Sequence, residues 1–310
     1  MSENARQGAG ASGRPSGIKV WWLAARPRTL PAAMSGVFAG SALAWLDGGF
    51  QPGPALAAFA IALLLQVGSN LANDVYDDER GADTAERLGP QRATQSGWLT
   101  RGQVKRGMAV VFATAFALGL YLTWVRGWLV LVIGIAAIVS AIAYTGGPYP
   151  LGYHGLGELF VFIFFGPAAV VGTYWVQAGA TSLPVWVISV AIGLLITAIL
   201  VVNNLRDIEQ DRAAGKNTLT VRIGARATMF EWIAVVAAPY LIVVAGVVVR
   251  LYGPGALASF LSLPLAFRTG RIVFTRTGTA LNEALAMTGR LALAFSALFS
   301  AGVVLVRALA

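Results

Sequence analysis

The sequence predicts an all-α, polytopic membrane protein with nine transmembrane helices, and three observations predict it. Of its 310 residues 57% are hydrophobic and only 12% are charged, whereas an ordinary soluble domain is roughly 25% charged. The apolar residues fall into blocks of about twenty, the length a helix needs to cross the hydrocarbon core of a bilayer. The basic residues collect in alternate connections between those blocks, the topology signature of a membrane chain.

The blocks run roughly over 29–47, 54–76, 107–125, 128–145, 157–177, 184–204, 229–249, 252–268 and 288–308. The eighth is short and is interrupted by Gly253, Pro254, Gly255 and Pro264. Residues 1–17 are rich in Gly, Ser and Ala without an apolar core, and read as a disordered tail, not a cleaved signal peptide. No long polar linker divides the rest, so 18–310 reads as one domain embedded in membrane lipid. With the N-terminus inside, basic residues cluster before helix 1 and after helices 2, 6 and 8. Only Arg126, Arg250 and Arg307 of the 23 basic residues fall on the other side. This predicts an integral protein of the inner (cytoplasmic) membrane, with a cytoplasmic N-terminus and the C-terminus opposite.

Composition removes several function classes. There is no cysteine, so disulfides, iron–sulfur clusters and thiolate metal sites are excluded, and the single histidine, His154, argues against an imidazole metal centre. Any metal would take oxygen ligands, which points to a hard cation such as Mg2+. The net charge of +9 lies in short loops between apolar runs and does not form a nucleic-acid footprint, so no nucleic-acid partner is expected.

The acidic residues are clustered. Asp74, Asp77, Asp78, Glu79, Asp83 and Glu86 follow helix 2, and Asp207, Glu209 and Asp211 follow helix 6. If helix 2 continues, Asn70, Asn73, Asp74 and Asp77 share one face, because residues three, four and seven apart are neighbours on a helix. Asn203, Asp207 and Asp211, spaced by four, do the same at the end of helix 6. An isolated acid pair of this spacing is most often a solvated helix end. The doubled pattern, the shared side and the intramembrane asparagines favour function, because polar groups there are costly unless paired, hydrated or cation-bound. Two such strips across a cavity would hold magnesium and a bridging diphosphate.

Basic groups follow each strip: Arg80, Arg87 and Arg92 after the first, and Arg206, Arg212, Lys216 and Arg222 after the second. They suit phosphate oxygens, and positive-inside anchoring accounts for several of them. Arg92 and Lys216, set among Gly and polar residues, serve either role. Tyr144, Tyr149 and Tyr153 are candidates to line an aromatic site. His154 and Glu158 read more simply as a loop side chain and as an acid favoured at a helix start.

These strips and the sequence around them resemble the UbiA-type family of intramembrane aromatic prenyltransferases. The resembling stretches are Arg26-Pro27-Arg28-Thr29-Leu30-Pro31, Asn70 through Gly97 with Gly89-Pro90-Gln91-Arg92-Ala93, Tyr144-Thr145-Gly146-Gly147-Pro148 with Gly155-Leu156-Gly157-Glu158, Asn203 through Gly224, and Leu281-Asn282 with Thr288-Gly289. They span nearly the whole chain. The Gly-Pro-Gln-Arg-Ala and Thr-Gly-Gly-Pro segments point to the naphthoate branch. The resemblance implies nine helices around a central cavity and Mg2+-dependent transfer of a polyprenyl group from polyprenyl diphosphate to an aromatic acceptor. In the naphthoate branch the acceptor is 1,4-dihydroxy-2-naphthoate, and diphosphate and carbon dioxide are lost to give demethylmenaquinone.

By position, Asp74, Asp77, Asp207 and Asp211 are the expected catalytic acids, and with Asn70 they are the expected metal ligands. Asn70, Asn73, Arg80, Arg92, Tyr144, Tyr149, Asn203 and Lys216 are the expected substrate contacts. Gly81 stands where some relatives carry a third acid, so Asp78 or Asp83 is expected to substitute. The alternatives are a prenyltransferase for another acceptor such as 4-hydroxybenzoate, a cation-coupled transporter, which would carry its acids near the midplane, and a non-catalytic membrane scaffold. Neither chain length nor oligomeric state is legible.

Overall fold

The computed structural model describes residues 17–82 and 87–309, so most of the N-terminal tail, and Asp83, lie outside the described residues. The described residues form helices α1 (Ile18–Ala25), α2 (Leu30–Leu46), α3 (Pro52–Glu79), α4 (Arg101–Arg126), α5 (Trp128–Ala143), α6 (Gly157–Ile163), α7 (Gly172–Ala178), α8 (Leu183–Ala213), α9 (Leu219–Ile223), α10 (Ala225–Val248), α11 (Leu263–Thr275) and α12 (Leu281–Leu309). A π-helical segment, Phe164–Val171, joins α6 to α7, and a 3-10 segment, Pro254–Ser262, leads into α11.

Eight of the resulting spans are long and apolar enough to cross a membrane, and α5 is a ninth, shorter apolar helix. The nine expected spans are thus present among the described residues, with shifted ends. The chain becomes helical before residue 29, at Ile18, and breaks at Arg26, whose φ is +53°. Pro27 disfavours the helical region for the residue before it, which ends α1 there. The eighth span runs over Pro254–Thr275, not 252–268, and Arg268, Arg271 and Arg290 lie within helices instead of a loop. Apolar-run counting stops at a charge, whereas an amphipathic helix continues past it.

Lipid is as apolar as a leucine side chain, so helices in a membrane associate through close packing and polar contacts. α2 shows this. Added Cβ atoms on Gly36 and Gly40 would meet Ala169 Cβ at 2.8 Å and the Val170 carbonyl oxygen at 2.5 Å. α2 therefore lies directly against the π segment, where Pro167 lacks an amide donor and the wider turn accommodates it. α8 is the central pillar, packed by α6, α10, α12 and the π segment. Polar staples cross the bundle: Tyr174 donates to Asp47 at 2.6 Å, Gln177 to Ser41 at 3.0 Å and Tyr252 to the Pro184 carbonyl at 2.6 Å.

Candidate active site

Both acidic strips are helical and end in the same cap. After α3, Gly81 (φ +67°) donates to the Asp78 carbonyl at 3.1 Å and Ala82 to the Asp77 carbonyl at 2.9 Å. After α8, Gly215 (φ +70°) donates to the Arg212 carbonyl at 3.2 Å and Lys216 to the Asp211 carbonyl at 2.8 Å. This paired pattern is the Schellman motif, which needs a left-handed residue and so favours glycine. Asp77 and Asp211 occupy the same place relative to their caps. The second cap swings Lys216 back towards the first strip.

Asp77 is buried and collects donors from three other segments. Arg92 Nη2 lies 2.7 Å from Oδ2, and the Tyr153 hydroxyl and Lys216 Nζ lie 2.9 and 3.1 Å from Oδ1. Lys216 also sits over the Tyr153 ring, 4.7 Å from its centroid. Asp74, one helical turn earlier, serves a different purpose. Its carboxylate accepts from the Ala93 and Thr94 amides at 2.9 and 3.1 Å and from the Thr94 hydroxyl, so it holds the loop that delivers Arg92. It does not line the cavity described below. Asn70 donates to the Ala25 carbonyl and to Thr29 Oγ1, both at 2.9 Å, and pins the α1–α2 break to α3. Asn73 accepts from Thr145 Oγ1 at 3.0 Å.

On the second strip Arg206 is fully engaged. Its guanidinium donates to Asp207 at 2.7 and 2.5 Å, to Asn203 Oδ1 at 2.9 Å and to Asn282 Oδ1 at 2.7 Å. It fastens α8 to α12 and partly neutralises Asp207. Asp211 has no side-chain hydrogen bond or ion pair to another described residue, and it lines the cavity. It is the open carboxylate of the site.

The remaining expected residues divide. Arg80 donates to the Thr145 carbonyl at 3.0 Å and to the Gly147 carbonyl, clamping that loop, and is itself off the cavity lining. Tyr149 is 57% exposed and stacks on His154, also off the lining. Asp78 pairs with Arg101 at 2.6 Å on the α4 side. His154 and Arg222 brace the two loops around the site, since Arg222 donates to the His154 and Asn217 carbonyls. Tyr144 lines the cavity.

Asn73, Asp77, Arg92, Tyr144, Tyr153, Asn203, Asp207, Asp211 and Lys216 meet at the polar end of one cavity of about 440 Å³. Sequence reading missed several of its neighbours. Arg26 and Arg28 reach the same lining because the break at Pro27 turns the chain inwards. Asn204 also lines it, with its amide nitrogen held by Glu158 at 2.8 Å. Below these groups the walls are apolar, drawn from α3, α4, α5 and the π segment. The arrangement suits an amphiphile with an anionic head and a long apolar tail. Among the described residues no three acids converge into a metal cage. The site instead matches the habit of magnesium, which takes one or two carboxylates with phosphate oxygens and water. Asp211, Asp207 and Asp77 are the carboxylates that line the cavity and could supply them.

Residues 33–299 match the model of the UbiA prenyltransferase family. A 1,4-dihydroxy-2-naphthoate octaprenyltransferase of Haemophilus influenzae is 43% identical over 216 residues, 67% of this chain and 70% of that protein. The enzyme of the same description from Mycobacterium tuberculosis is 39% identical over 274 residues, 87% of this chain and 91% of that one. Among solved structures, a UbiA homologue from Aeropyrum pernix superposes with a TM-score of 0.68 at 20% identity, covering 90% of this chain and 98% of its own. A homologue from Archaeoglobus fulgidus, bound to GPP and Mg2+, superposes with a TM-score of 0.62 at 14% identity, covering 92% and 99%.

Proposed function

We propose that this chain, which belongs to the UbiA prenyltransferase family, transfers a polyprenyl group from polyprenyl diphosphate to 1,4-dihydroxy-2-naphthoate in menaquinone biosynthesis. The observation that carries the chemistry is the convergence of Asp77, Asp207, Asp211, Arg92 and Lys216 at the polar end of an apolar cavity. The acceptor rests on the relatives, which bear the naphthoate enzyme's name at 39–43% identity. We assign the metal as Mg2+, the ion bound by the Archaeoglobus fulgidus homologue.

Lys216 carries three donors and spends one on Asp77, so it can turn to a phosphate oxygen of the donor. Arg92 balances Asp77 and keeps the site's charge low before substrate arrives. Bound Mg2+ would act as a Lewis acid towards the diphosphate oxygens. The allylic C–O bond breaks, its electron pair leaves with diphosphate, and these cations stabilise the charge that develops there. The electron-rich ring carbon that bears the carboxylate forms the new C–C bond. Carbon dioxide then leaves, returning its bonding pair to the ring, and the naphthoquinol product oxidises in air to demethylmenaquinone. The apolar walls keep water from the cationic allyl carbon. Tyr144, Asn203 and Asn204 line the same cavity, and we assign them to orient the acceptor.

The basic loops further support a cytoplasmic N-terminus and active-site face, with the C-terminus opposite. The carboxylates sit at the ends of α3 and α8, so no observation favours the transporter alternative. The test is product mass from the full-length protein in lipid, given polyprenyl diphosphate, Mg2+ and either 1,4-dihydroxy-2-naphthoate or 4-hydroxybenzoate. The expected product is the decarboxylated prenylnaphthoquinone, lost with EDTA. Prenylated benzoate alone would move the protein to another acceptor. No product with either, in folded protein, would sink the reading.

A further inference from the structure

Asn203 and Asn204 both line the cavity and are held by opposite ends. Asn203 Oδ1 accepts from Arg206 Nη2 at 2.9 Å. A guanidinium only donates, so it takes the carbonyl end of the amide and leaves the NH2 end. Asn204 Nδ2 donates to Glu158 Oε1 at 2.8 Å. A carboxylate only accepts, so it takes the NH2 end and leaves Oδ1. Among the described residues nothing donates to Asn204 Oδ1, and that atom is not sealed within the protein. The residue is 6% exposed and lines the cavity, so Oδ1 opens into the cavity.

Glu158 itself stays behind the wall. It is 9% exposed, is off the cavity lining, and its Oε2 has no hydrogen-bond partner among the described residues. Burying a carboxylate with an oxygen left open is costly. Its place in the first turn of α6 offsets part of that cost. A glutamine would also tie α6 to α8 here, without a buried charge. What the acid adds is direction. Glutamine could present either end to Asn204, whereas glutamate presents only acceptors.

We infer that Glu158 is a positioning residue: it fixes Asn204 Oδ1 towards the cavity to accept a hydrogen bond from a ring hydroxyl of the aromatic substrate. The inference rests on reading that substrate as 1,4-dihydroxy-2-naphthoate. Ionised diphosphate, the prenyl tail and an ionised carboxylate carry no donor, and the hydroxyls do. The 1-hydroxyl can bond to the neighbouring carboxylate within the molecule. The 4-hydroxyl is then the donor that reaches Asn204.

The test is product formation by the full-length protein in lipid nanodiscs, with polyprenyl diphosphate, Mg2+ and 1,4-dihydroxy-2-naphthoate. It is inhibited by 4-hydroxy-2-naphthoate or by 2-naphthoate, which lacks the hydroxyl. The ratio of the two inhibition constants is taken within each variant, so a smaller folded fraction does not move it. The wild type should bind the hydroxylated probe about tenfold tighter, the order of one hydrogen bond in a buried site. Glu158→Leu should bring the two probes within about twofold of each other, with the donor KM unchanged, and Glu158→Gln should restore part of the preference. Asn204→Ala should also erase it. Adding Glu158→Leu to Asn204→Ala should then change the ratio no further, as expected when one residue acts through the other. The wild-type ratio in Glu158→Leu, or a further fall in the double variant, would overturn the inference. A wild type that forms product without preferring the hydroxylated probe would overturn it and leave the proposed function standing. A wild type that forms no product would overturn both.

Discussion

The ends of α3 and α8 are built alike and are electrostatically opposite. Each carries an acid at the third position from its cap, and each cap is closed by a left-handed glycine. Asp77 is met by an arginine, a lysine and a tyrosine, whereas Asp211 has no side-chain bond to another described residue. The two ends part at the residue after the glycine. The first cap leads to Ala82, and the second to Lys216, which reaches across to the other strip. Asp77 therefore organises the site's cations, and Asp211 is left open towards the cavity.

The sharpest break of this comparison is to neutralise each acid in turn. Asp211→Asn should lower product formation at least about a hundredfold, the order expected for losing one preorganised charge at a reacting anion, and leave the melting temperature unchanged. Asp77→Asn should lose activity on the same scale and also melt earlier. It removes the buried acid that Arg92 and Lys216 share, a loss of roughly 3–5 kcal/mol for a broken buried pair. If the two variants melt alike, the division of roles is wrong.

Lys216→Met should come next. It removes the donor shared by Asp77 and the diphosphate, and donor titration should show KM raised roughly tenfold or more, the worth of a hydrogen bond to a charged group. Lys216→Arg should recover part of it. A matched pair then sharpens the point. Gly81→Ala and Gly215→Ala each force an alanine left-handed, at about 1–2 kcal/mol, so the two should lower thermal stability equally. Only Gly215→Ala should also raise the donor KM, because only there does the cap aim a cation. The smallest effect is expected at Tyr149, exposed and off the cavity. Tyr149→Ala should leave turnover within about twofold, as for an ordinary surface position. A larger loss would bring that side chain back into the site.

Much of the site was legible because helical spacing is a local property. The four-residue steps from Asn73 to Asp77 and from Asp207 to Asp211 put each pair about 40° apart around the axis, and all four residues reach one cavity. A shared face is nevertheless a coarse description. Asp74 is about 60° from Asp77, and that angle suffices to turn it onto the Ala93–Thr94 loop instead. Asp78, about 100° round, faces Arg101. Basic residues were harder still. Arg92 stands out in sequence only by its Gly and polar neighbours, and Arg80 and Arg206 by nothing, yet Arg80 clamps a backbone loop, Arg92 balances Asp77 and Arg206 fastens α8 to α12.

Sequence by itself determined the membrane class, the nine apolar spans, the doubled acidic strips and the glycines that end them. Bilayer thickness, helical period and left-handed caps are constraints that each segment meets alone. Tertiary structure decided which carboxylate is neutralised and which is open. The partners of Asp77 stand 15, 76 and 139 residues away along the chain, and contacts of that separation exist only once the loops have closed over both strips.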